Sequence, residues 1–409
     1  MKTRSMIMTM TVLTATRLYA ATHYVSFTGT SEPPFSSWET AATNIQNAVD
    51  AAGPTGTVLV AAGHYMLDGH VSVSNAVQVH GVAGYLETTV DAGGASRCFV
   101  INNSQALVEG FTMTNGLDST ERKGGGVLLE TGTLRSCRIT GCRVANDYAG
   151  GGGIWNDDGL IEHCIIEGNT SDDWGGGVHN GGVMRNCLVR NNEALCWGGG
   201  GVFNEHGTVA NCTVISNRAV HAQGQGGGIY NRGSAPYGTG TVVNCVIWYN
   251  SAPTDADYHD AGPDTETGYS CIPSGASYPG MVTNAPMLAV VRGGQIQLSA
   301  SSPCIDAGTN QSWLANTSDL YGNPRTFGGS VDIGTAEAIL ICTSIRMNGT
   351  VSQADFYAPP SATCDVEYAV SLHGSWSNLY SSVITTQGVM TISHSNTLPR
   401  CFYRAKWMK

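Results

Sequence analysis

The chain has 409 residues and a formal net charge of −11, with 12% charged residues, 53 glycines and 13 cysteines. Phosphate binding needs clustered Lys and Arg, so an acidic chain without basic runs argues against nucleic acid as a partner. Glycine at this level without a Gly-X-Y period excludes collagen and favours a structure with many tight turns.

The first 20 residues combine Lys2 and Arg4 with a short apolar run over 6–13, which predicts an export signal and a secreted or cell-surface location. No other segment reaches the roughly 18 apolar residues of a membrane span. Apolar residues at helical spacing over 40–52 predict one helix, which would cap the open end of a repeat structure. Short β-branched runs predict strands at 23–26, 57–60, 71–73, 77–79 and 98–101.

The motif Gly151-Gly152-Gly153-Ile154-Trp155-Asn156 recurs along the chain. Its aliphatic residue returns at intervals of 27, 24, 24 and 27 positions, at Val127, Ile154, Val178, Val202 and Ile229. A fixed period in this range indicates a solenoid, in which each repeat buries its apolar face only against its neighbours. We expect about three short strands in each repeat.

Aligning the repeats on their cysteines reveals further periodic positions. We expect an inward stack of free thiols, which act as small hydrophobes, at Cys137, Cys164, Cys187, Cys212 and Cys245. We also expect inward aliphatic residues three positions before and two positions after each cysteine. Candidate disulfides are then confined to Cys271 with Cys304 and Cys364 with Cys401.

Two series of asparagines are predicted to form tight corners in the left-handed conformation, with side-chain amides bonded along the axis. They are Asn169, Asn192, Asn217 and Asn250, and Asn156, Asn180, Asn204 and Asn231. A further outward position alternates in charge, at Glu109, Arg135, Glu162 and Arg185, which helps to fix strand register. Outward aliphatic residues at Ile165, Leu188 and Val246 predict that another part of the chain covers them, such as 251–300 or the C-terminal residues.

The period ends near residue 251, and the composition changes again near 338. We therefore predict three regions: a signal peptide at 1–20, a β-helix with its cap and closing segment at 22–337, and a small all-β module at 338–409. In the closing segment we expect Asp306, Asp319, Asp332 and Glu337 to bond backbone amides rather than metal.

The Gly-Gly-Gly-Ile-Tyr-Asn and Asn-Cys-x-Ile patterns resemble those of secreted bacterial right-handed parallel β-helix proteins, whose shape is shared with pectin lyases. Residues 302–308 and 332–334 are similar to the closing segment of choice-of-anchor Q surface proteins. The resemblance implies a right-handed parallel β-helix. Together with the helix predicted at 40–52 and the strands predicted after 338, the expected fold is all-β: a right-handed parallel β-helix with an N-terminal helical cap and a small C-terminal β-sandwich-like module. Because this architecture hosts lyases, hydrolases, isomerases and adhesins, it leaves the activity open.

The residue between the aliphatic position and the asparagine varies, and four of its five occurrences are rings. These rings are predicted to form an outward stripe that binds a glycan, supplemented by two tryptophans from the loops before the glycines; the expected binding residues are Trp155, His179, Phe203, Tyr230, Trp174 and Trp197. The competing interpretation is that the stripe packs beneath a loop.

Candidate catalytic residues lie near this stripe in the sequence: Asp147, Asp172, Asp173, His179, Arg190 and Arg218. Paired carboxylates suit a glycoside hydrolase, while a basic side chain aided by calcium on the acidic loops suits a polysaccharide lyase. Neither class has its sequence hallmarks here. The expectation is an extracellular, monomeric protein that binds or processes a polysaccharide, and the alternative is a non-catalytic adhesin or structural surface protein.

Overall fold

The computed structural model describes residues 21–338, apart from 234–237, 275–276, 292–293, 300, 316 and 327–328. Beyond residue 340 it describes the backbone of six strands. The predicted export signal lies outside the described residues.

The chain winds into a coil in which strands from successive turns pair in parallel, in four columns. The first column contains Val71–Val73, Phe99–Glu109, Val127–Arg135, Ile154–Asn156, Val178–Asn180, Val202–Asn204, Ile229–Asn231 and Tyr258–Asp260. The second contains Thr22–Val25, Thr57–Val60, Gln78–Gly81, Leu160–Glu162, Val183–Arg185, Thr208–Ala210, Gly240–Val243 and Thr265–Gly268. Phe99–Glu109 and Val127–Arg135 are long enough to run through both columns, which joins them into one sheet.

The third column contains Gly63–Met66, Thr88–Asp91, Thr112–Thr114, Arg138–Thr140, Ile165–Glu167, Leu188–Arg190, Thr213–Ile215 and Val246–Trp248. The fourth contains Leu117–Asp118, Arg143–Val144, Thr170–Ser171, Glu193–Ala194 and Arg218–Ala219. Each full turn thus has four short strands, where the sequence predicted about three. The additional two-residue strands were missed because they are too short to show an alternating pattern.

The interior of the coil is filled by the predicted inward residues. The five stacked cysteines are fully buried free thiols, and the aliphatic residues before and after them belong to the same core. The charge alternation is also confirmed: Arg135 Nε lies 2.7 Å from Glu109 Oε2, and Arg185 Nη2 lies 2.9 Å from Glu162 Oε2.

The predicted helix is shorter than expected, spanning Ile45–Ala51. It begins at Ile45 because Asn44 caps it: the Asn44 side chain accepts a hydrogen bond from the Asn47 amide at 3.3 Å. Ile45, Ala48 and Val49 are buried against the first turns of the coil, so the helix covers the end of the core as predicted.

Both asparagine series form buried amide ladders, with donor–acceptor distances of 2.8–3.0 Å between neighbouring side chains. The predicted backbone conformation, however, is wrong. Two other positions in each turn are left-handed. One is the residue before each cysteine, with φ between 50° and 54° at Ser136, His163, Asn186, Asn211 and Asn244, and the other is the residue before each asparagine of the series from Asn169 to Asn250, with φ between 55° and 66° at Gly168, Asn191, Ser216 and Tyr249. The ladder asparagines are buried, and those of the series from Asn169 to Asn250 also donate to backbone carbonyls of the preceding turn, as Asn169 does to Ile139 and Asn192 to Ile166.

After the last turn the chain runs back along the third column; we call residues 288–338 the returning segment. Its hairpin, Leu288–Val290 with Ile296–Leu298, places Ile296 against Leu188 and Leu298 against Val246. Ser312–Leu314 forms a 3-10 helix. Leu188 and Val246 are buried and Ile165 is half-buried, so the prediction that part of the chain covers them is confirmed.

Cys271, at the end of the coil, and Cys304, in the returning segment, are neighbouring free thiols rather than a disulfide. The predicted pairing of Cys364 with Cys401 falls on side chains outside the described residues. Three of the four closing acids bond backbone amides as expected: Asp319 Oδ1 accepts from the amides of Tyr321 and Asn323, Asp332 Oδ1 from that of Asp306, and Glu337 Oε1 from that of Asp332. The expectation is not met for Asp306, whose Oδ1 is buried without a hydrogen-bond partner among the described residues.

The C-terminal strands form two three-stranded antiparallel sheets. One contains Ile341–Asn348, Val351–Tyr357 and Val389–Ser395, and the other Thr363–Ala369, Ser377–Ile384 and Phe402–Trp407. The all-β character predicted for 338–409 is confirmed, while the domain boundaries themselves stay a prediction.

Candidate functional site

The variable residue of the glycine motif forms a continuous stack of rings on the outside of the first column. We call Trp155, His179, Phe203, Tyr230 and His259 the ring column. Trp155 and His179 are stacked with centroids 3.7 Å apart, and the next three spacings are 4.9, 5.3 and 4.7 Å. Parallel strand pairing places one ring on each rung at about 4.8 Å, so in-register pairing brings the rings into contact.

Much of the ring column is covered rather than open to solvent. His179 is 6% exposed and Phe203 is 2% exposed, while Trp155, Tyr230 and His259 are half-buried. The expectation of a free stripe is therefore wrong for the two middle rings. The loops that precede the glycine runs fold over them, an arrangement that strand periodicity does not reveal.

Glycine at the end of two of these loops, Gly150 and Gly198, allows this close packing. A Cβ on Gly150 would lie 2.7 Å from His179 Nδ1 and 2.8 Å from Trp155 Cζ3, and one on Gly198 would lie 3.0 Å from Tyr230 Cδ2. These distances are shorter than normal contacts. The glycines before the motif therefore let the loop backbone lie directly on the rings.

The covering loops carry rings of their own. We call Tyr148, Trp174, Trp197 and His221 the outer ring layer. Trp174 lies 4.7 Å from Phe203, and Trp197 stacks on Trp174 with centroids 6.0 Å apart and planes 13° apart. Trp197 is 46% exposed and Tyr148 is 74% exposed. The solvent-facing aromatic surface is thus one layer further out than the sequence motif predicts.

The three predicted acids gather beside the outer ring layer. Asp172 is bound by Arg143 Nη2 at 2.8 Å and by the Asn146 amide at 3.0 Å, and Asp173 accepts the Tyr148 amide at 2.8 Å. Burial raises the pKa of Asp173; its amide hydrogen bonds oppose this, and the charges of Asp147 and Asp172 add to it. Asp147 is exposed. Asp172 and Asp173 therefore serve to hold the loop that carries Tyr148.

The predicted basic residues do not meet these acids. Arg190 lies on the third column, where its Nε donates to Glu167 at 2.6 Å, and Arg218 lies on the fourth column, 3.7 Å from Glu193. Both belong to charge ladders on other faces of the coil, which a one-dimensional pattern does not separate. The base within the outer ring layer is His221, whose ring centroid lies 6.3 Å from that of Trp197.

A charged border at the other end of the ring column was missed. His179 Nε2 lies 3.1 Å from Glu205 Oε2, and Trp155 Nε1 donates to Asp157 Oδ1 at 2.6 Å. Lys123 lies 4.9 Å from the Trp155 ring centre and 3.4 Å from Asp157. Burial lowers the pKa of His179, which Glu205 opposes. Reading the position that follows Leu129 and each inward asparagine, namely Glu130, Asp157, Gly181, Glu205 and Arg232, would have revealed this border.

His259 was missed for a different reason. Its strand, Tyr258–Asp260, extends the first column but lacks both the preceding glycines and the asparagine of the motif. The Tyr258 hydroxyl accepts the last amide of the ladder at 3.0 Å, replacing the asparagine. A motif search has no signal for such a substitution.

Comparison with known proteins supports the architecture. Residues 77–265 match a family model described as "Right handed beta helix region". The coil is a right-handed parallel β-helix. No curated protein matches the chain.

Two further observations concern the described residues. They contain no group of three or more His, Cys, Asp or Glu side chains arranged to hold a metal ion. None of the helices in this part of the chain is long and apolar enough to cross a membrane.

Proposed function

We propose that this protein is exported and binds a polysaccharide along the outer ring layer. The observation that carries the proposal is the exposed Trp197 ring, stacked nearly parallel on Trp174 beside the exposed Tyr148. Sugars present apolar faces that stack on aromatic rings, and binding sites combine such rings with a few polar groups. Here Asp147 supplies an exposed acceptor for hydroxyl groups.

Binding is favoured over catalysis by the state of the acids. A glycoside hydrolase needs two carboxylates free to reach the scissile bond. Asp172 is held by Arg143 and Asp173 by a backbone amide, so each already has a structural partner. A lyase would need a base in contact with the substrate. Arg190 and Arg218 lie on other faces and His179 is buried, so His221 of the outer ring layer is the base whose activity the product assay below tests.

The first experiment is a screen of insoluble and soluble polysaccharides, both neutral and uronate-bearing, each with and without calcium. We expect retention on at least one glycan, without new reducing ends or unsaturated products. New reducing ends would indicate a hydrolase, and unsaturated products would indicate a lyase. Binding that requires added calcium would support the calcium site predicted on the acidic loops. Absence of retention on every glycan would contradict the proposal.

A second candidate function is a stiff structural element of the cell surface. It is favoured by the buried middle of the ring column and by the two continuous amide ladders, both of which rigidify the coil. This candidate predicts that replacing Trp197 has no effect on any interaction, while ladder substitutions abolish surface display.

A further inference from the structure

A cavity of about 150 Å³ lies between the third column and the returning segment. Its apolar floor is formed by Ile165 and Leu188 on neighbouring rungs, and Tyr85 and Tyr321 form part of its wall. Tyr321 is held in place because its hydroxyl accepts the Ile296 amide at 2.8 Å. The cavity therefore has a fixed wall supplied by the returning segment.

Three charged side chains complete the lining, Arg138, Glu167 and Arg190, and together they carry a net positive charge. Arg138 Nε donates to Glu167 Oε1 and Arg190 Nε donates to Glu167 Oε2, each at 2.6 Å. Burial opposes ionisation of Glu167, but the hydrogen bonds from Arg190 and Arg138 outweigh it and lower its pKa. Two cations share one anion, and the described lining contains no other Asp, Glu, Lys, Arg or His. The cavity is thus cationic in a protein whose net charge is −11.

The arginines retain donors for a second anion. A guanidinium has five N–H donors, and among the described residues Arg190 uses only Nε. Its side chain is 26% exposed, which leaves the Nη groups accessible from the cavity. The planar fork of arginine matches a carboxylate in two-point contact, and one net positive charge matches one carboxylate.

We propose that this cavity binds a small carboxylate carrying a flat or apolar ring face. The carboxylate contacts the two Nη groups of Arg190 and the Nη1 group of Arg138, whose Nη2 group already contacts Glu167, and the ring lies on Ile165 and Leu188 beside Tyr321. Two sources share this chemistry: a sugar acid, such as the terminal residue of a uronate chain, and a free aromatic carboxylate. The site is on the third column, so it is independent of the binding proposed for the outer ring layer.

The test is calorimetric titration of the full chain with galacturonate and with benzoate, each compared with its neutral counterpart, galactose or benzamide. We expect at least one carboxylate to bind and its neutral counterpart to bind at least tenfold more weakly. Binding of galacturonate alone would assign the site to sugar acids, and binding of benzoate alone to aromatic acids.

Three cavity variants, at Arg190 and Arg138, and one control complete the design. Arg190→Gln and Arg138→Gln should each weaken carboxylate binding at least tenfold, and Arg190→Lys should recover it only in part because lysine lacks the fork. Arg135→Gln is the matched control, since Arg135 is likewise paired with glutamate, here Glu109 and Glu162, but lies on the second column. Each variant is checked for native circular dichroism, and either glutamine variant of the cavity suffices if the other fails to fold.

Three results would overturn the proposal. The first is that neither carboxylate binds to the unchanged chain. The second is that Arg190→Gln and Arg138→Gln bind the carboxylate as tightly as the unchanged chain does. The third is that inorganic phosphate binds as tightly as the carboxylates. The last result would mean that charge alone, without the fork and the apolar floor, determines what the cavity accepts.

Discussion

Each inward asparagine of the first column bonds in two directions. Asn180 Nδ2 donates to Asn204 Oδ1 at 2.8 Å and its Oδ1 accepts from Asn156 at 2.9 Å. These groups are completely buried, so water cannot replace a lost partner. An unsatisfied buried polar group is more costly than the net value of the hydrogen bond that it loses.

Asn180→Ala should therefore lower the free energy of unfolding by about 2–4 kcal/mol, because it interrupts the ladder and leaves neighbouring amides unpaired. Asn102→Ala is the control: Asn102 is exposed in a strand of the same column and should change stability by less than about 0.5 kcal/mol. Urea unfolding followed by circular dichroism measures both. Equal stability of the two variants would show that the ladder contributes nothing specific.

A single methyl group at Gly150 should disturb the ring column. The added Cβ would clash with Trp155 and His179, whose rings are stacked and cannot move apart freely. We expect Gly150→Ala to cost about 1–3 kcal/mol and to change the near-ultraviolet circular dichroism of the tryptophans. Gly69→Ala is the control, since a Cβ there meets nothing within 4 Å. An unchanged spectrum for Gly150→Ala would contradict the close packing.

At the scale of single residues, the sequence predicted the positions that carry the same residue type in every turn, and it missed the positions whose residue type varies. The cysteine stack and the asparagine ladders recur at one position per turn, so one rung predicts the rest. The left-handed position before each cysteine was missed because its residue varies, from Ser136 through His163 to Asn186. Burial of Phe203 was missed because it depends on Trp174, a residue in a loop of the neighbouring turn.

The returning segment is an element that the coil requires, because it covers the apolar outer face of the third column. Ile296 is 6% exposed and packs on Leu188 and Ile215. Its partner in the hairpin, Val290, is 74% exposed. The pair thus offers a buried and an exposed aliphatic residue at one place in the fold.

Ile296→Ala should lower the free energy of unfolding by about 2–4 kcal/mol, while Val290→Ala should lower it by less than about 0.5 kcal/mol. Thermal and denaturant unfolding of the two variants give the comparison. A similar loss in both would mean that the segment is not held by this apolar contact.

The returning segment contains a buried acid, Glu337, whose ionisation opposes folding. Burial raises the pKa of Glu337 to about 9, with the charge of Arg325 lowering it and that of Asp332 raising it. Arg325 Nη1 lies 3.3 Å from Glu337 Oε1, and both side chains are buried. Burial likewise raises the pKa of Asp332 to about 6.

A folded-state pKa above the unfolded value means that the folded chain binds more protons, so stability is greatest at low pH and falls as pH rises. For Glu337 the fall should extend from about pH 4.5 to about pH 9. Glu337→Gln should remove most of this fall in unfolding free energy, which the shift of the pKa limits to about 6 kcal/mol. Unfolding at a series of pH values tests this; an equally steep dependence in Glu337→Gln would contradict it.

On the scale of the whole molecule, the sequence predicted the fold. It predicted only in part how segments of the chain cover the outer surface of the coil. Equal spacing of short repeats forces stacking into a coil, whatever the individual side chains. The outward Leu188 and Val246 correctly indicated a cover, because aliphatic side chains on an outer face need one. The sequence did not predict which residues cover them, or that Arg190 and Trp155 lie on different faces of the coil. Both depend on contacts between distant segments, which no local sequence pattern contains.

The two surfaces on which we propose ligand binding lie on different parts of the molecule. The outer ring layer lies on the loops between the fourth and first columns, and the arginine-lined cavity lies beneath the returning segment on the third column. Between them the charge ladders and amide ladders bind each turn to the next. A rigid coil with rings on its loops suits a ligand that is itself extended, as a polysaccharide is.

The central claim is that the exposed tryptophan of the outer ring layer contacts a glycan. The most direct measurement is electrophoretic retardation of Trp197→Ala in gels containing polygalacturonate or xylan, beside the unchanged chain and Trp38→Ala. Trp38 is a matched control, being 40% exposed but situated near the N-terminal helical cap, where it contacts Tyr24. Loss of one stacking ring should weaken binding by about 1–1.5 kcal/mol, or roughly tenfold, in Trp197→Ala only. Equal retardation of all three proteins would contradict the claim.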